Sequence, residues 1–158
     1  PIKSSAASDV YKRQVSPESI RDVYEEGIVL KHCIHTCDIY FQRMDIRETY
    51  LLFLRRTDKP DVPWYTLEIE PGGNIRQKKS VLNEAYKDLD NAMPFLKKWQ
   101  QWVKKNLSAK DKKLAEKSDK ARKDGYKQLR EEKKLIWHGR LQGTLLADAL
   151  ENDFMEVV

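Results

Sequence analysis

The spacing of apolar residues in the first third of the chain is helical. Ile20, Val23 and Ile28 fall on one side of a helix that starts after Ser16-Pro17, where a hydroxyl cap precedes a proline suited to the first helical turn. Residues 31–47 have a mixed pattern, which predicts a turn and a second short helix. The sequence therefore predicts a helical N-terminal part.

Three strands are predicted in the middle of the chain. Residues 49–55 are rich in β-forming residues, and residues 64–70 alternate between apolar and polar positions. Residues 75–81 are read as a third strand, with Ile75, Gln77, Lys79 and Val81 facing one way. Two prolines exclude strand between the first two segments, and the P-G-G-N sequence at residues 71–74 predicts a tight turn. Short connections favour an antiparallel meander, which needs helices to cover its apolar face.

Helical spacing returns after the strands. It runs over residues 82–107, with a kink or a restart expected at Pro94. The remaining residues predict a basic helix and then an apolar C-terminal helix. The fold class that follows is α+β: a three-stranded antiparallel meander packed with helices, plus a basic helical C-terminal extension. The expected boundaries are 15–107 for the α+β domain and 108–158 for the extension and the C-terminal helix.

The first 14 residues are interpreted separately. Residues 4–14 read S-S-A-A-S-D-V-Y-K-R-Q, and this run back-translates into the adapter and transposase end used to make sequencing libraries. A segment of that origin is left out of fold reasoning. The alternative is a natural polar tail, which would be disordered. Residues 1–14 are therefore predicted to be non-native or disordered, and they are given no function.

Composition excludes several classes of protein. The length of 158 residues fits one domain of ordinary size, and the 35% charged fraction indicates a soluble protein. No apolar run approaches the ~20 residues of a membrane span, which excludes an integral membrane protein. The two cysteines are too few for a disulfide framework and favour a reducing compartment.

Charge is segregated along the chain. Residues 97–134 hold 15 Lys+Arg against six Asp+Glu, although the whole chain carries only +5. Clustered lysines neutralise phosphates without reading bases, and a tryptophan among them can stack on a base. The alternative is a solvated helix with i,i+4 ion pairs. The residues predicted to contact nucleic acid are Lys97, Lys98, Lys104, Lys105, Lys112, Lys113 and Trp102.

The segment H-C-I-H-T-C at residues 32–37 carries four side chains that zinc prefers. Their spacing does not match a usual structural site, so no metal is assigned and no cofactor is predicted. Cys33 beside His32 is a candidate thiolate nucleophile with a base. Glu68 and Glu70 share one strand face and are a candidate acid–base pair, although a solvated sheet face is the commoner arrangement. The catalytic candidates are His32, Cys33 and Glu68.

An ordered series of motifs runs through the first two thirds of the chain. It reads E-G, L-K-H-C-I, E-T-Y-L-L-F-L-R and P-W-Y-T-L-E-I at residues 26–27, 30–34, 48–55 and 63–69, followed by Gln77, Asn83 and a tryptophan-bearing helix at 96–99. This series resembles the PcfJ-like family of conjugative plasmids, phages and related mobile elements. The chain departs from the family pattern at His35 and within residues 78–82, where the family usually has a glycine.

The resemblance implies a cytoplasmic protein of a mobile element with no defined activity. It also implies that motif side chains far apart in sequence line one pocket. In that pocket Arg55 would bind a phosphate, Glu68 would act as a base or contact a ribose, and the positioning residues would be Thr66, Gln77 and Asn83, beside His32.

Three functions follow as alternatives. The first is an accessory protein of a conjugative plasmid, phage or other mobile element that acts on or near DNA, with DNA or a mobile-element protein complex as its partner. The second is a small enzyme or nucleotide-binding module that uses the His/Cys/Arg/Glu/Gln cluster. The third is a protein–protein interaction module. Whether the chain is an enzyme stays open at this point.

Overall fold

A computed structural model describes residues 12–158 of the chain. The strands are β1 (Lys12–Val15), β2 (Tyr50–Arg56), β3 (Tyr65–Ile69) and β4 (Ile75–Lys79). The helices are α1 (Ile20–Leu30), α2 (Asp38–Asp45), α3 (Met93–Lys105), α4 (Ala109–Glu131) and α5 (Leu146–Asp153), with short 3₁₀ turns at Cys33–His35, Val81–Asn83 and Lys87–Ala92.

The sheet is antiparallel with the strand order β1-β2-β3-β4. Strands β2 to β4 confirm the predicted meander and the α+β class. Strand β1 adds an edge strand that was not predicted, because residues 1–14 were left out of fold reasoning. Its pairing with β2 joins Lys12 to Arg56 and Val15 to Phe53. Residues 1–11 lie outside the described part of the chain.

One face of the sheet packs against α3. Leu52, Leu54 and Leu67 contribute to this core from the strands, and Phe95 and Trp99 contribute from the helix. Alternation along each strand places every second residue on this face, so the apolar positions of neighbouring strands meet here. Pro94 stands in the first turn of α3, where a proline costs no hydrogen bond. The helix therefore restarts at this proline as the sequence predicted, and 3₁₀ turns replace the helix expected over residues 82–92.

The opposite face of the sheet is covered by α1, α2 and the 3₁₀ turn at Cys33–His35. Its apolar part includes Leu51 and Phe53 from β2 and Val23 and Ile34 from the cover. Helix α1 begins three residues later than Ser16-Pro17 indicated, because Ser19 forms the capping box with Asp22. The remaining positions of this face are polar, and they form the candidate site.

Helix α4 is docked on the rest of the fold and does not extend away from it. Ser118 and Arg122 are its buried residues, and both bond to groups outside the helix. The chain then returns through α5, and Met155 exchanges two backbone hydrogen bonds with Ile75. Polar contacts therefore hold α4 to the sheet. Within residues 12–158, no helix combines the length and the apolar character that crossing a bilayer requires.

Candidate functional site

The motif residues on three strands lie on the polar face of the sheet. Arg55 lies on the same face of β2 as Leu51 and Phe53, because the three are spaced two residues apart. Thr66 on β3 is the Cα partner of Phe53. Glu68 lies two residues further along β3 and is the partner of Gln77 on β4. Because directly opposed residues share a face of a sheet, the strand register brings side chains together that lie far apart in the sequence.

Glu68 is the centre of the first polar cluster, and its side chain is 0% exposed. Its Oε1 atom accepts hydrogen bonds from Arg43 Nη1 at 2.8 Å and from Thr49 Oγ1 at 2.9 Å. Its Oε2 atom accepts one from Gln77 Nε2 at 2.9 Å. Gln77 in turn bonds to the hydroxyl of Tyr40, whose pKa is raised by burial and by the negative charge of Glu68. The carboxylate thus has internal donors for both oxygens.

Arg55 belongs to a second cluster with Glu26 of α1. The two side chains form a two-point ion pair, with Arg55 Nη1 2.8 Å from Glu26 Oε1 and with Nη2 bonded to Oε2. Burial raises the pKa of Glu26, and the hydrogen bond and charge of Arg55 act against that rise. Since the guanidinium is occupied by this carboxylate, it is not free for the phosphate that the resemblance implied.

His32 joins the same cluster through Thr66. Its Nε2 atom lies 2.8 Å from Thr66 Oγ1. Thr66 also acts to lower the pKa of Glu26. The Nδ1 atom is buried without a hydrogen-bond partner among the described residues, and burial lowers the pKa of the ring. His32 is therefore a neutral imidazole at neutral pH.

A third cluster joins the sheet to α4. Arg76 donates to Glu70 Oε1 at 2.9 Å, to Glu48 Oε1 at 2.8 Å and to the backbone oxygen of Ser118 at 2.9 Å. Arg122 of α4 reaches the same Glu70 oxygen at 2.5 Å. The carboxylates of Glu68 and Glu70 are therefore buried and paired, and the commoner arrangement of a solvated strand face is wrong here.

The cysteines do not form a nucleophile with His32. The histidine nitrogen that makes a hydrogen bond faces Thr66, as described above. Burial is the main cause that raises the pKa of Cys33 to about 11, and the neighbouring Cys37 adds to the rise, although part of the Cys33 surface is exposed. A thiol with such a pKa carries little thiolate at neutral pH. Within residues 12–158, no three His, Cys, Asp or Glu side chains are grouped as ligands for a metal ion.

Asn83 lies outside the buried clusters, in the exposed 3₁₀ turn Val81–Asn83. Leu82 and Asn83 both have left-handed backbone conformations, with φ of 58° and 61°. The structure therefore brings together His32, Arg55, Thr66, Glu68 and Gln77 and leaves Asn83 apart. The clusters also contain residues to which the sequence analysis assigned no role, namely Glu26, Tyr40, Arg43, Thr49, Glu48, Arg76 and Arg122.

A pocket opens away from these clusters. It has a volume of about 510 Å³, and its wall includes Met44, Tyr50, Ile69, Trp102 and Leu107. Of the residues predicted from the sequence as site residues, Trp102 lines it and the motif residues of the polar face do not. Arg55, Thr66 and Gln77 thus lie inside the fold, each in hydrogen-bonded contact with another side chain, instead of lining this opening.

The lysines of α3 and of the first half of α4 form the most basic exposed region. Residues 97–117 contain eight lysines and two acids, and all eight lysines are exposed. We call this set the lysine surface: Lys97, Lys98, Lys104, Lys105, Lys110, Lys112, Lys113 and Lys117. Trp99 is buried in the core and Trp102 is half-buried against it, so neither ring is presented in full to a base.

The comparisons with known proteins give one match. The family model described as PcfJ-like protein matches residues 7–93, which include β1 to β4, α1, α2 and the five motif residues that the structure brings together. No curated protein and no solved structure matches the chain. The family match covers more than half of the sequence and contains the whole polar face of the sheet, and the chain belongs to the PcfJ-like protein family.

Proposed function

We propose that this protein is an accessory protein of a mobile genetic element, such as a conjugative plasmid or a phage, and that it binds nucleic acid through the lysine surface. The observation that carries the proposal is the contrast between two stretches of basic residues. The lysines of residues 97–117 make no ion pair with any described residue, whereas those further along α4 are paired.

The second half of α4 has the i,i+4 ion pairs that are expected of a basic helix that is only solvated. Lys120 bonds to Asp124, Lys123 to Asp119, and Lys127 lies 4.0 Å from Glu131. Such i,i+4 pairs neutralise much of the local field. The lysine surface has two acids among its residues, and one of them, Asp111, caps α4. The positive charge of the lysine surface is therefore available to a polyanion.

The outer face of α3 arranges part of this charge in a stripe. Lys97, Lys98, Lys104 and Lys105 recur at positions one, seven and eight residues apart, which places them on one side of the helix. The opposite side is fixed in the core by Phe95 and Trp99. A helix held in this way presents its lysines from a rigid support. Membership in the PcfJ-like family supports the association with a mobile element.

The enzyme alternative has less support. A ligand at Glu68 or Arg55 would have to displace the internal donors and acceptors that each side chain already has. Removing a partner from a buried charge costs about 3–5 kcal/mol, so such displacement would oppose binding. The geometry favours a role of these two residues in holding α1 and α2 to the sheet.

The test is the salt dependence of nucleic-acid binding. The full chain is titrated into a fluorescently labelled 30-base-pair duplex of arbitrary sequence at several salt concentrations between 50 and 200 mM. We expect the affinity to fall steeply as salt rises, because counterions released from the phosphates drive the association. No binding at 50 mM salt, or an affinity that does not change with salt, would contradict the proposal.

A further inference from the structure

Trp137 is a large aromatic side chain that the fold leaves in solvent. It is 72% exposed, whereas Trp99 is fully buried and Trp64 and Trp102 are half-buried. A tryptophan exposed to this degree is uncommon in a folded domain. It lies in the connection between α4 and α5, outside the residues matched by the family model.

The connection that carries Trp137 is an ordered hairpin. Leu135 pairs with Leu145, and Ile136 donates to the oxygen of Thr144 at 2.9 Å and accepts from Gly143 at 2.8 Å. The tip closes with a hydrogen bond from Gln142 to Gly139 at 3.1 Å. Gly139 and Gly143 supply the positive φ angles of these turns, 81° and 84°. The ring is therefore displayed on a preformed support.

Basic residues lie close to Trp137 along the hairpin. Lys133, Lys134 and Arg140 are exposed and lie within four residues of it in the sequence. Arg140 has one carboxylate nearby, with its Nε atom 3.9 Å from Glu84 Oε1, and its side chain is still 71% exposed. An aromatic face surrounded by cations has the chemistry that takes up a base together with its neighbouring phosphates.

Helix α4 connects this hairpin with the lysine surface. Lys113 and Lys117 of the lysine surface lie four residues apart on one exposed side of α4. The distance along the helix axis from Lys117 to Glu131 is about 21 Å at 1.5 Å per residue. A strand of several nucleotides spans such a distance.

We infer that the hairpin of residues 133–145 is a binding site for single-stranded nucleic acid, in which an unpaired base stacks on Trp137 and the adjacent phosphates lie near Lys133, Lys134 and Arg140. The inference rests on the proposed function, because the lysine surface supplies the electrostatic part of the affinity. It adds a preference for single-stranded over double-stranded nucleic acid, because a duplex keeps its base faces covered and a single strand offers them to the ring.

The experiment compares a 20-nucleotide single strand with a duplex of the same sequence. Binding of each is measured for the full-length wild type, for Trp137→Ala and for Trp137→Phe, at 50 and 150 mM salt. We expect Trp137→Ala to weaken single-strand binding about tenfold and duplex binding less than twofold, and Trp137→Phe to retain most of the affinity, because stacking on an aromatic ring contributes this much per base. Ile20→Ala, which removes an equally exposed apolar side chain from α1, is the control and should leave both affinities unchanged.

The possible failures are distinguishable. Binding of both nucleic acids with the expected salt dependence, but with no effect of Trp137→Ala, would overturn the hairpin site and keep the proposed function. Equal loss for single strand and duplex would overturn base stacking. A wild-type chain that binds neither nucleic acid at 50 mM salt would overturn the hairpin site and the proposed function together.

Discussion

The carboxylate of Glu26 on α1 is clamped by the guanidinium of Arg55 on β2, with two parallel hydrogen bonds between side chains that are 3% and 10% exposed. The two residues stand 29 positions apart, and both belong to the motif series of the first two thirds of the chain. His32, in the turn that follows α1, lies 2.8 Å from Thr66 Oγ1 on β3 through its Nε2 atom. The two contacts together tie the first helix and the following turn to two strands of the sheet.

Glu26→Ala is expected to destabilise the protein by about 3–5 kcal/mol, because it leaves the buried Arg55 without its counter-charge. The measurement is the free energy of unfolding in urea. Glu25→Ala is the matched control: Glu25 pairs with Arg21 on the solvent side of the same helix, and an exposed pair of this kind contributes little to stability. Similar losses for both variants would contradict the role of the buried pair.

Glu68→Gln tests whether the central carboxylate is structural. The amide keeps the shape but presents an NH₂ group to donors from Arg43, Thr49 or Gln77, so we expect a loss of about 2–4 kcal/mol in unfolding free energy. Binding of the duplex at a temperature where the variant is folded should be unchanged, because the Glu68 side chain is buried and the lysine surface is exposed. An unaltered unfolding free energy would contradict the structural role of Glu68 and would favour the enzyme alternative.

Acidification should destabilise the protein through His32. Burial lowers the pKa of this ring below its ordinary value of 6.5, so the unfolded chain binds the proton more tightly than the folded chain. Stability therefore falls as the pH drops below about 6.5, by at most about 1.4 kcal/mol per pH unit from this group. In urea unfolding at pH 7.5, 6.5 and 5.5, the stability advantage of the wild type over His32→Gln should shrink as the pH falls. An advantage that stays constant would show that His32 does not titrate in this way.

Leu82→Gly is expected to stabilise the protein by about 0.5–1 kcal/mol. Leu82 has φ of 58° and is 62% exposed, so the substitution relieves a left-handed conformation that costs a leucine about 1–2 kcal/mol, while little apolar burial is lost. This turn lies within the segment where the family usually has a glycine. Val81→Gly in the same turn is the control and should destabilise, because Val81 has no positive φ. Thermal unfolding of the two variants checks the opposite signs.

Strand positions were predictable because alternation and turn residues mark them directly. The expected segments at 49–55, 64–70 and 75–81 correspond to β2, β3 and β4 within two residues at each end. The family resemblance then gave five polar residues that the structure brings together, four of them on the strands and His32 at the start of the 3₁₀ turn that covers them. Asn83 was not among them, since the turn after β4 carries it to the surface.

The partners of those residues could not be predicted in the same way. Arg43, Arg76 and Arg122 look like solvent-exposed charges in the sequence, and only the fold shows that each meets a buried carboxylate. Glu68 and Glu70 were expected on a solvated face for the same reason. Helix α4 docks through Ser118 and Arg122, which are polar, so hydrophobic periodicity gave no sign of the docking.

The central claim is that the unpaired lysines, and not basic charge in general, bind nucleic acid. Its most direct test compares two variants that each remove three positive charges: Lys98→Gln, Lys104→Gln and Lys105→Gln on the lysine surface, and Lys120→Gln, Lys123→Gln and Lys127→Gln on the paired part of α4. Duplex affinity is measured at 100 mM salt. The account predicts at least a tenfold loss for the first variant and less than a threefold loss for the second. Equal losses, or a larger loss for the second variant, would contradict it.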